Sequence, residues 1–200
     1  MGWLEKLANW LQVRKKEASI LCIGLDNSGK STIINRLKPA NARIEDVVPT
    51  VGFNVETFST GKLFVTAYDM SGQGRYRNLW ERYYKNCDAV VFVVDSTDKL
   101  RMAVAKEELS QLLNHREMKR KKNLPVLFFA NKCDLRQSCS AVKCAQLLAL
   151  DRGEWTRGGS PVHKTASAGP GRPWHICESN ALTGEGLQEG IQWLTDQLMC

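Results

Sequence analysis

Apolar residues recur along this chain at two periods. Near the start, Trp3, Leu4, Leu7, Trp10 and Leu11 fall at i, i+1, i+4, i+7 and i+8. That is one stripe at helical spacing, and it predicts an amphipathic helix over residues 2–13. ASILCIGL (residues 18–25) is a short apolar run that ends in a glycine-rich loop, which predicts a buried strand, and STIINRLK then opens a helix. FNVETFS and LFVTAYD are strand-like runs joined by Thr60-Gly61-Lys62, the signature of a hairpin. AVVFVVD (residues 89–95) and PVLFFAN (residues 125–131) are continuous apolar runs suited to strands buried on both faces of a parallel sheet. Helical spacing lies between them over residues 101–114. WHICES predicts a weaker last strand and GLQEGIQWLTDQL a final amphipathic helix. Six strands alternating with helices predict an α/β fold with a mostly parallel sheet and one antiparallel strand.

One stretch breaks this rhythm. RGEWTRGGSPVHKTASAGPGRP is rich in Gly, Ser, Pro and basic residues and has no hydrophobic period. It predicts an insert without regular structure at about residues 152–172. The rest of the 200-residue chain fits one domain over residues 17–200, preceded by the helical segment 1–16.

Composition changes this picture little. Hydrophobic residues make up 43% and charged residues 24%, which is ordinary for a globular protein. No stretch is apolar enough to span a bilayer and no secretory pattern is present, so an intracellular protein is expected. Seven cysteines, without a CxxC pair, suit reduced thiols rather than a zinc motif. The net charge is +7, concentrated in Arg14-Lys15-Lys16 and Lys119-Arg120-Lys121-Lys122. Such runs are a solvated face or favour an anionic membrane surface. No aromatics interleave with them, so nucleic acid is not expected as a partner.

The chemistry lies in four short segments. Gly24, Leu25, Asp26, Asn27, Ser28, Gly29, Lys30 and Ser31 match G-x-x-x-x-G-K-[ST], with Thr32 following. The motif sits between a predicted strand and a predicted helix, the context it requires. Its backbone amides can cradle phosphate, Lys30 can reach the β- and γ-phosphates, and the Ser31 hydroxyl can ligate Mg²⁺. NKCD follows a buried strand at the carboxyl edge of the sheet. There Asp134 can accept hydrogen bonds from guanine N1–H and the 2-amino group, donors that adenine lacks. Asn131 would bond the base edge, and Lys132 would lie over the ring. In DMSGQ, Asp69 can hold Mg²⁺ through water, the Gly72 amide can meet the γ-phosphate, and Gln73 can orient the attacking water. Thr50, in VPTVGF, is a candidate second Mg²⁺ ligand, ordered when the γ-phosphate is present. Lys30, Thr50 and Gln73 are thus the candidate catalytic set.

Together GLDNSGKST, PTVGFNVET, DMSGQGRYRNLWERYY and NKCD resemble the small GTPases, and in detail the ADP-ribosylation-factor family. The resemblance covers nearly the whole chain except about residues 152–172. It implies the small G-protein P-loop fold, with helices on both faces of the sheet, binding GTP or GDP with Mg²⁺. It implies slow GTP hydrolysis, completed by a GTPase-activating protein and reset by an exchange factor. It implies two switch segments, around Thr50 and from Gly72 to Tyr84, and an inter-switch hairpin that displaces the N-terminal helix toward the membrane. Trp3, Leu4, Leu7, Trp10 and Leu11 would then enter the interface. Phe53, Tyr68 and Tyr83 fall where the family places effector aromatics, with Tyr68 replacing the usual Trp. Ala181, in ESNA, falls where a backbone amide would bond the guanine oxygen. The members it most resembles recruit a trafficking coat, the BBSome, to membranes at cilia. That implies a cytoplasmic monomer that visits the base and membrane of the cilium.

Two departures stand out. Position 6 is Lys6, so the myristoylation pattern after Gly2 is not met, and the terminal Cys200 does not form a CaaX box. Membrane binding would rest on the amphipathic stripe and basic charge. The insert precedes ESNA, where relatives have a short loop. It reads either as linker of the kind an alternative splice product carries or as an interaction loop. The competing functional classes are an ordinary P-loop ATPase or nucleotide kinase, and an interaction protein whose guanine loop the insert has disturbed.

Overall fold

The protein is described from a computed structural model covering residues 15–150 and 171–200. The stripe over residues 2–13 and most of the 152–172 segment lie outside those residues. Six strands form one sheet: β1 (Lys16–Ile23), β2 (Phe53–Thr60), β3 (Leu63–Met70), β4 (Ala89–Asp95), β5 (Val126–Asn131) and β6 (Trp174–Ser179), in spatial order β2-β3-β1-β4-β5-β6. Only β2 runs antiparallel, paired to β3 from Phe53↔Met70 to Thr60↔Leu63. That register leaves a two-residue turn in which Gly61 takes φ 52°, a left-handed conformation glycine adopts without strain.

The central strands are buried on both faces, as their unbroken apolar runs predict. Leu21, Ile23, Phe92, Val94, Phe128 and Ala130 point into one core cluster. It includes residues of α3 (Met102–Asn114) and α5 (Ala141–Leu148). The alternate residues Ile20, Cys22, Val91, Val93, Leu127 and Phe129 point into a second. There they meet α1 (Lys30–Leu37) and α6 (Leu187–Met199). Period-two alternation thus supplies two cores from one set of strands.

The structure adds elements to those read from the pattern. β1 begins at Lys16, two residues before its apolar run, because Lys16 and Glu17 pair with Leu63 and Phe64. The short helices α2 (Glu81–Tyr84) and α4 (Arg116–Arg120) flank β4 and α3. In the basic run that closes α4, Lys121 Nζ donates to the Cys87 carbonyl at 2.6 Å, so part of that charge is structural. α5 had a legible signal: Ala141, Cys144, Ala145 and Leu148 are buried at i, i+3, i+4 and i+7, behind a Ser140 cap that accepts from Lys143 N.

Arg172 differs from its expected place in an unstructured insert. It is 4% exposed. Its guanidinium donates to the carbonyls of Met118 (2.8 Å), Lys121 (2.9 Å) and Leu124 (3.3 Å). The basic residue that reads as linker is the anchor that starts β6. Arg172→Ala is expected to destabilise the fold by about 3 kcal/mol through loss of charge-assisted bonds to three carbonyls. For a domain of this size that lowers Tm by roughly 6–12 °C, read by thermal unfolding. An unchanged Tm would show that the anchor contributes nothing.

Candidate functional site

The parallel strands end together, and the site is built on that edge. Asp95, Asn131 and Ser179 share one row of the β4, β5 and β6 register. The loop after β1 rises beside them. In it Gly24 has φ 141°, and a Cβ there would lie 2.1 Å from the Val93 carbonyl oxygen. Glycine is therefore required for the loop to leave β1 against β4. Gly29, at φ 96°, has no side-chain cap to offer as α1 begins. The first amides of α1 are thus left for an anion at the positive end of the helix.

Lys30 is 5% exposed and bends back so that Nζ donates to the Leu25 carbonyl at 2.8 Å. Burial pulls its ammonium below the ordinary lysine range. A desolvated cation at the mouth of an anion cradle is set to gain from a phosphate partner. A cleft of about 140 Å³ opens here. Asn27, Gly29, Lys30, Thr50, Gly72 and Gln73 line it.

Three oxygens converge behind that cleft, two of them from its lining residues Ser31 and Thr50. Ser31 Oγ donates to Asp69 Oδ2 at 2.6 Å, Thr50 Oγ1 donates to the same oxygen at 3.0 Å, and the two hydroxyls are 2.8 Å apart. The other carboxylate oxygen, Oδ1, is buried without a hydrogen-bond partner. Burial raises the Asp69 carboxyl above its ordinary range, against the bonds from Ser31 and Thr50. Oxygen-only donors around an under-satisfied buried carboxylate fit a hard divalent cation such as Mg²⁺.

The predicted base-reading residues divide. Asn131 is 2% exposed and faces inward. Its Nδ2 donates to the Ser28 carbonyl at 2.8 Å, and its Oδ1 accepts from Ala181 N at 3.0 Å and Ser179 Oγ at 3.3 Å. It ties the phosphate loop to the loop after β6, a role the four-residue motif does not reveal. Lys132, at φ 66°, pairs with Asp95 at 2.6 Å. Burial opposes ionisation of Asp95, but the bonds from Lys132 and Thr97 outweigh it and hold that carboxyl low. Asp134 stands exposed beyond them.

Gly72 packs on the phosphate loop: a Cβ there would lie 2.2 Å from Asp26 N and from the Leu25 carbonyl carbon. The Gln73 amide oxygen accepts from Arg75 Nε at 3.2 Å. Phe53, Tyr68 and Tyr83 form one aromatic cluster, with Tyr83 centred 5.3 Å from Phe53 and 4.6 Å from Tyr68. Sequence reasoning missed the arginines around this site. Arg77 donates to the Gly72 carbonyl at 2.9 Å and to Glu108 at 2.6 Å. Arg101 pairs with Asp26 at 3.1 Å and Asp98 at 2.5 Å. Glu108 lies 31 residues from Arg77 and Asp26 lies 75 from Arg101, so no local motif announces those pairings.

Known proteins match nearly the whole chain. The model of the ADP-ribosylation factor family matches residues 4–198. ADP-ribosylation factor-like protein 6 of Danio rerio is 56% identical over 198 residues, which is 99% of this chain and 97% of that protein. The protein of the same name in Caenorhabditis elegans is 36% identical, covering 99% of this chain and 95% of its own length. Among solved structures, the Arl6 BBS3 small GTPase from Trypanosoma brucei, with the nucleotide analogue GppNp bound, is 40% identical. It superposes with a TM-score of 0.78 over 92% of this chain and 98% of its own. A phosphate loop, a guanine-type loop and a six-stranded sheet in this order therefore have one source: the chain belongs to the ADP-ribosylation factor family of small GTPases.

Proposed function

We propose that this GTPase couples the γ-phosphate to effector and membrane binding through the Ser31–Thr50–Asp69 convergence. That convergence is the observation that carries the reading. It links the phosphate helix (Ser31), the first switch (Thr50) and the hairpin strand β3 (Asp69) at bonding distance. Ser31 and Thr50 would ligate Mg²⁺ directly and Asp69 through water. The ion, when bound, would neutralise phosphate charge. Loss of the γ-phosphate removes one reason for Thr50 to stay, so the switch and the adjoining hairpin are released together. Lys30 would exchange the Leu25 carbonyl for phosphate oxygens. The amides of Gly24 to Thr32 would surround the phosphates, Asp134 and Lys132 would hold the guanine, and Ala181 N would have to exchange Asn131 Oδ1 for the guanine oxygen.

Gln73 must exchange Arg75 for the attacking water before it can orient that water. Slow intrinsic hydrolysis and dependence on an activating protein follow from this reading. Gln73→Leu is expected to slow single-turnover GTP hydrolysis by about 10²-fold while GTP affinity stays near wild type. Equal rates would remove Gln73 from the mechanism.

The Phe53–Tyr68–Tyr83 cluster is the proposed effector surface, and a coat subunit of the BBSome type is the proposed partner. The relatives' names and their near-complete coverage of this chain support this. No helix among the described residues is long and apolar enough to cross a membrane. Association would run through Trp3, Leu4, Leu7, Trp10 and Leu11 on an anionic surface, reversibly, at the cilium base and its membrane. The working unit is a monomer, with an exchange factor to reload it.

A second reading, an interaction protein with a disturbed guanine loop, draws on the insert beside that loop. The bonds of Ala181 N and Ser179 Oγ to Asn131 favour an ordered guanine loop instead. Calorimetry on the nucleotide-free chain with Mg²⁺ separates the two. Tight GTP binding without ATP binding supports the switch, and binding of neither supports the disturbed loop. Flotation with anionic vesicles in the GDP and GppNp states then tests coupling. Equal flotation in both states would defeat it.

A further inference from the structure

Away from the cleft, strand β6 carries His175 and Cys177 two residues apart, on one face of the strand. Helix α6 lays Glu189 over them. A ligand atom of each residue lies within 4.8 Å of both others. Among the described residues this is the one group of His, Cys, Asp and Glu so gathered. His175 Nε2 faces Glu189 Oε1 at 3.4 Å. The imidazole stacks on Trp193, with centroids 5.4 Å apart and planes 26° from parallel, which fixes its orientation. Cys177 is buried, at 3% exposure, whereas the Glu189 side chain is 68% exposed. The site thus has two ordered inner donors, one movable outer donor and an open side for water.

We propose that His175, Cys177 and Glu189 form a zinc(II)-class site with water as fourth ligand. One imidazole, one thiolate and one carboxylate are a borderline-soft donor set that suits Zn²⁺ and not Mg²⁺, which takes oxygen. With Zn–S near 2.3 Å and Zn–N near 2.0 Å, a tetrahedron sets donors about 3.5 Å apart. The three donors now lie within 4.8 Å of one another, so closure on the ion draws the side chains together, with the exposed Glu189 the freest to move. Coordination replaces the Cys177 S–H proton, which leaves to solvent, and engages the lone pair of a neutral His175. The ordinary alternative is a His–Glu–Cys hydrogen-bond cluster that binds no metal.

The test uses the full chain loaded with Mg²⁺ and GDP, so that the oxygen site is already filled. Cobalt(II) is titrated in, and the thiolate-to-cobalt charge-transfer absorption is followed. The band is expected to saturate at one equivalent and to disappear when zinc(II) is added. Cys177→Ser is expected to abolish it, whereas Cys133→Ser and Cys200→Ser retain it. His175→Gln and Glu189→Gln are each expected to weaken binding at least about tenfold. No saturable band, a band that survives Cys177→Ser, or unchanged affinity in both His175→Gln and Glu189→Gln overturns the proposal. Should Cys177→Ser not fold, the His175 and Glu189 variants decide it, since Glu189 is largely exposed and its replacement leaves the core untouched.

Discussion

Asp134→Ala is expected to lower GTP and GDP affinity by about 10²–10⁴-fold. A carboxylate that accepts from both guanine N1–H and the 2-amino group supplies two charge-assisted bonds, each ~1.5–3 kcal/mol, and each 1.4 kcal/mol is tenfold in affinity. The loss falls on binding alone. Asp134 is exposed, while the residue that holds the loop, Asn131, is untouched and keeps its bonds to Ser28, Ser179 and Ala181. Thermal unfolding of the nucleotide-free variant should therefore match wild type within ~0.5 kcal/mol, as for other surface substitutions. ATP affinity should not move, because adenine offers Asp134 no donor. Calorimetry with the three nucleotides reads all of this. Wild-type GTP affinity in the variant would remove Asp134 from the guanine site.

The contrast between Asp134 and Asn131 shows what was legible in the sequence. Chemistry confined to consecutive residues could be read directly: the phosphate loop, the hairpin turn at Gly61, and strands whose unbroken apolar runs require burial on both faces. Asn131 could be named but not understood. Its partners, Ser28 and Ala181, are 103 and 50 residues away, and only the fold brings them to it. Arg77, Arg101 and Arg172 were missed for the same reason. An arginine's partners are set by which loops meet, and a basic residue in a Gly/Ser/Pro-rich stretch reads as solvated. Thr50 shows the middle case. Nothing local distinguishes it from any other loop threonine, and only its distances to Ser31 and Asp69 give the assignment physical content. The helix α5 was a different kind of omission, because its capped, i, i+3, i+4, i+7 pattern was present in the residues themselves.

Gly72→Ala should separate GDP binding from GTP chemistry. The added methyl would lie 2.2 Å from Asp26 N and the Leu25 carbonyl carbon, both backbone atoms of the phosphate loop. Neither can move without unmaking the cradle, so the segment around Gly72 must withdraw instead. Its other attachments pull the opposite way. Trp80 Nε1 donates to the Ser71 carbonyl at 3.1 Å, and Arg77 donates to the Gly72 carbonyl. The substitution therefore sets the second switch against its own anchors. GDP makes no demand on the Gly72 amide, so its affinity should change little. GTP would lose the donor assigned to its γ-phosphate, and Gln73 would be carried away with the segment. Loss of one preorganised donor at developing charge typically costs ~10²–10³ in rate, and single-turnover hydrolysis should fall by at least that much. The methyl also weakens the γ-phosphate's hold on the switch, so GppNp should no longer change effector or vesicle binding relative to GDP. Wild-type hydrolysis in a Gly72→Ala variant would mean that the contact with Asp26 opens during turnover. The γ-phosphate would then have to be held without the Gly72 amide.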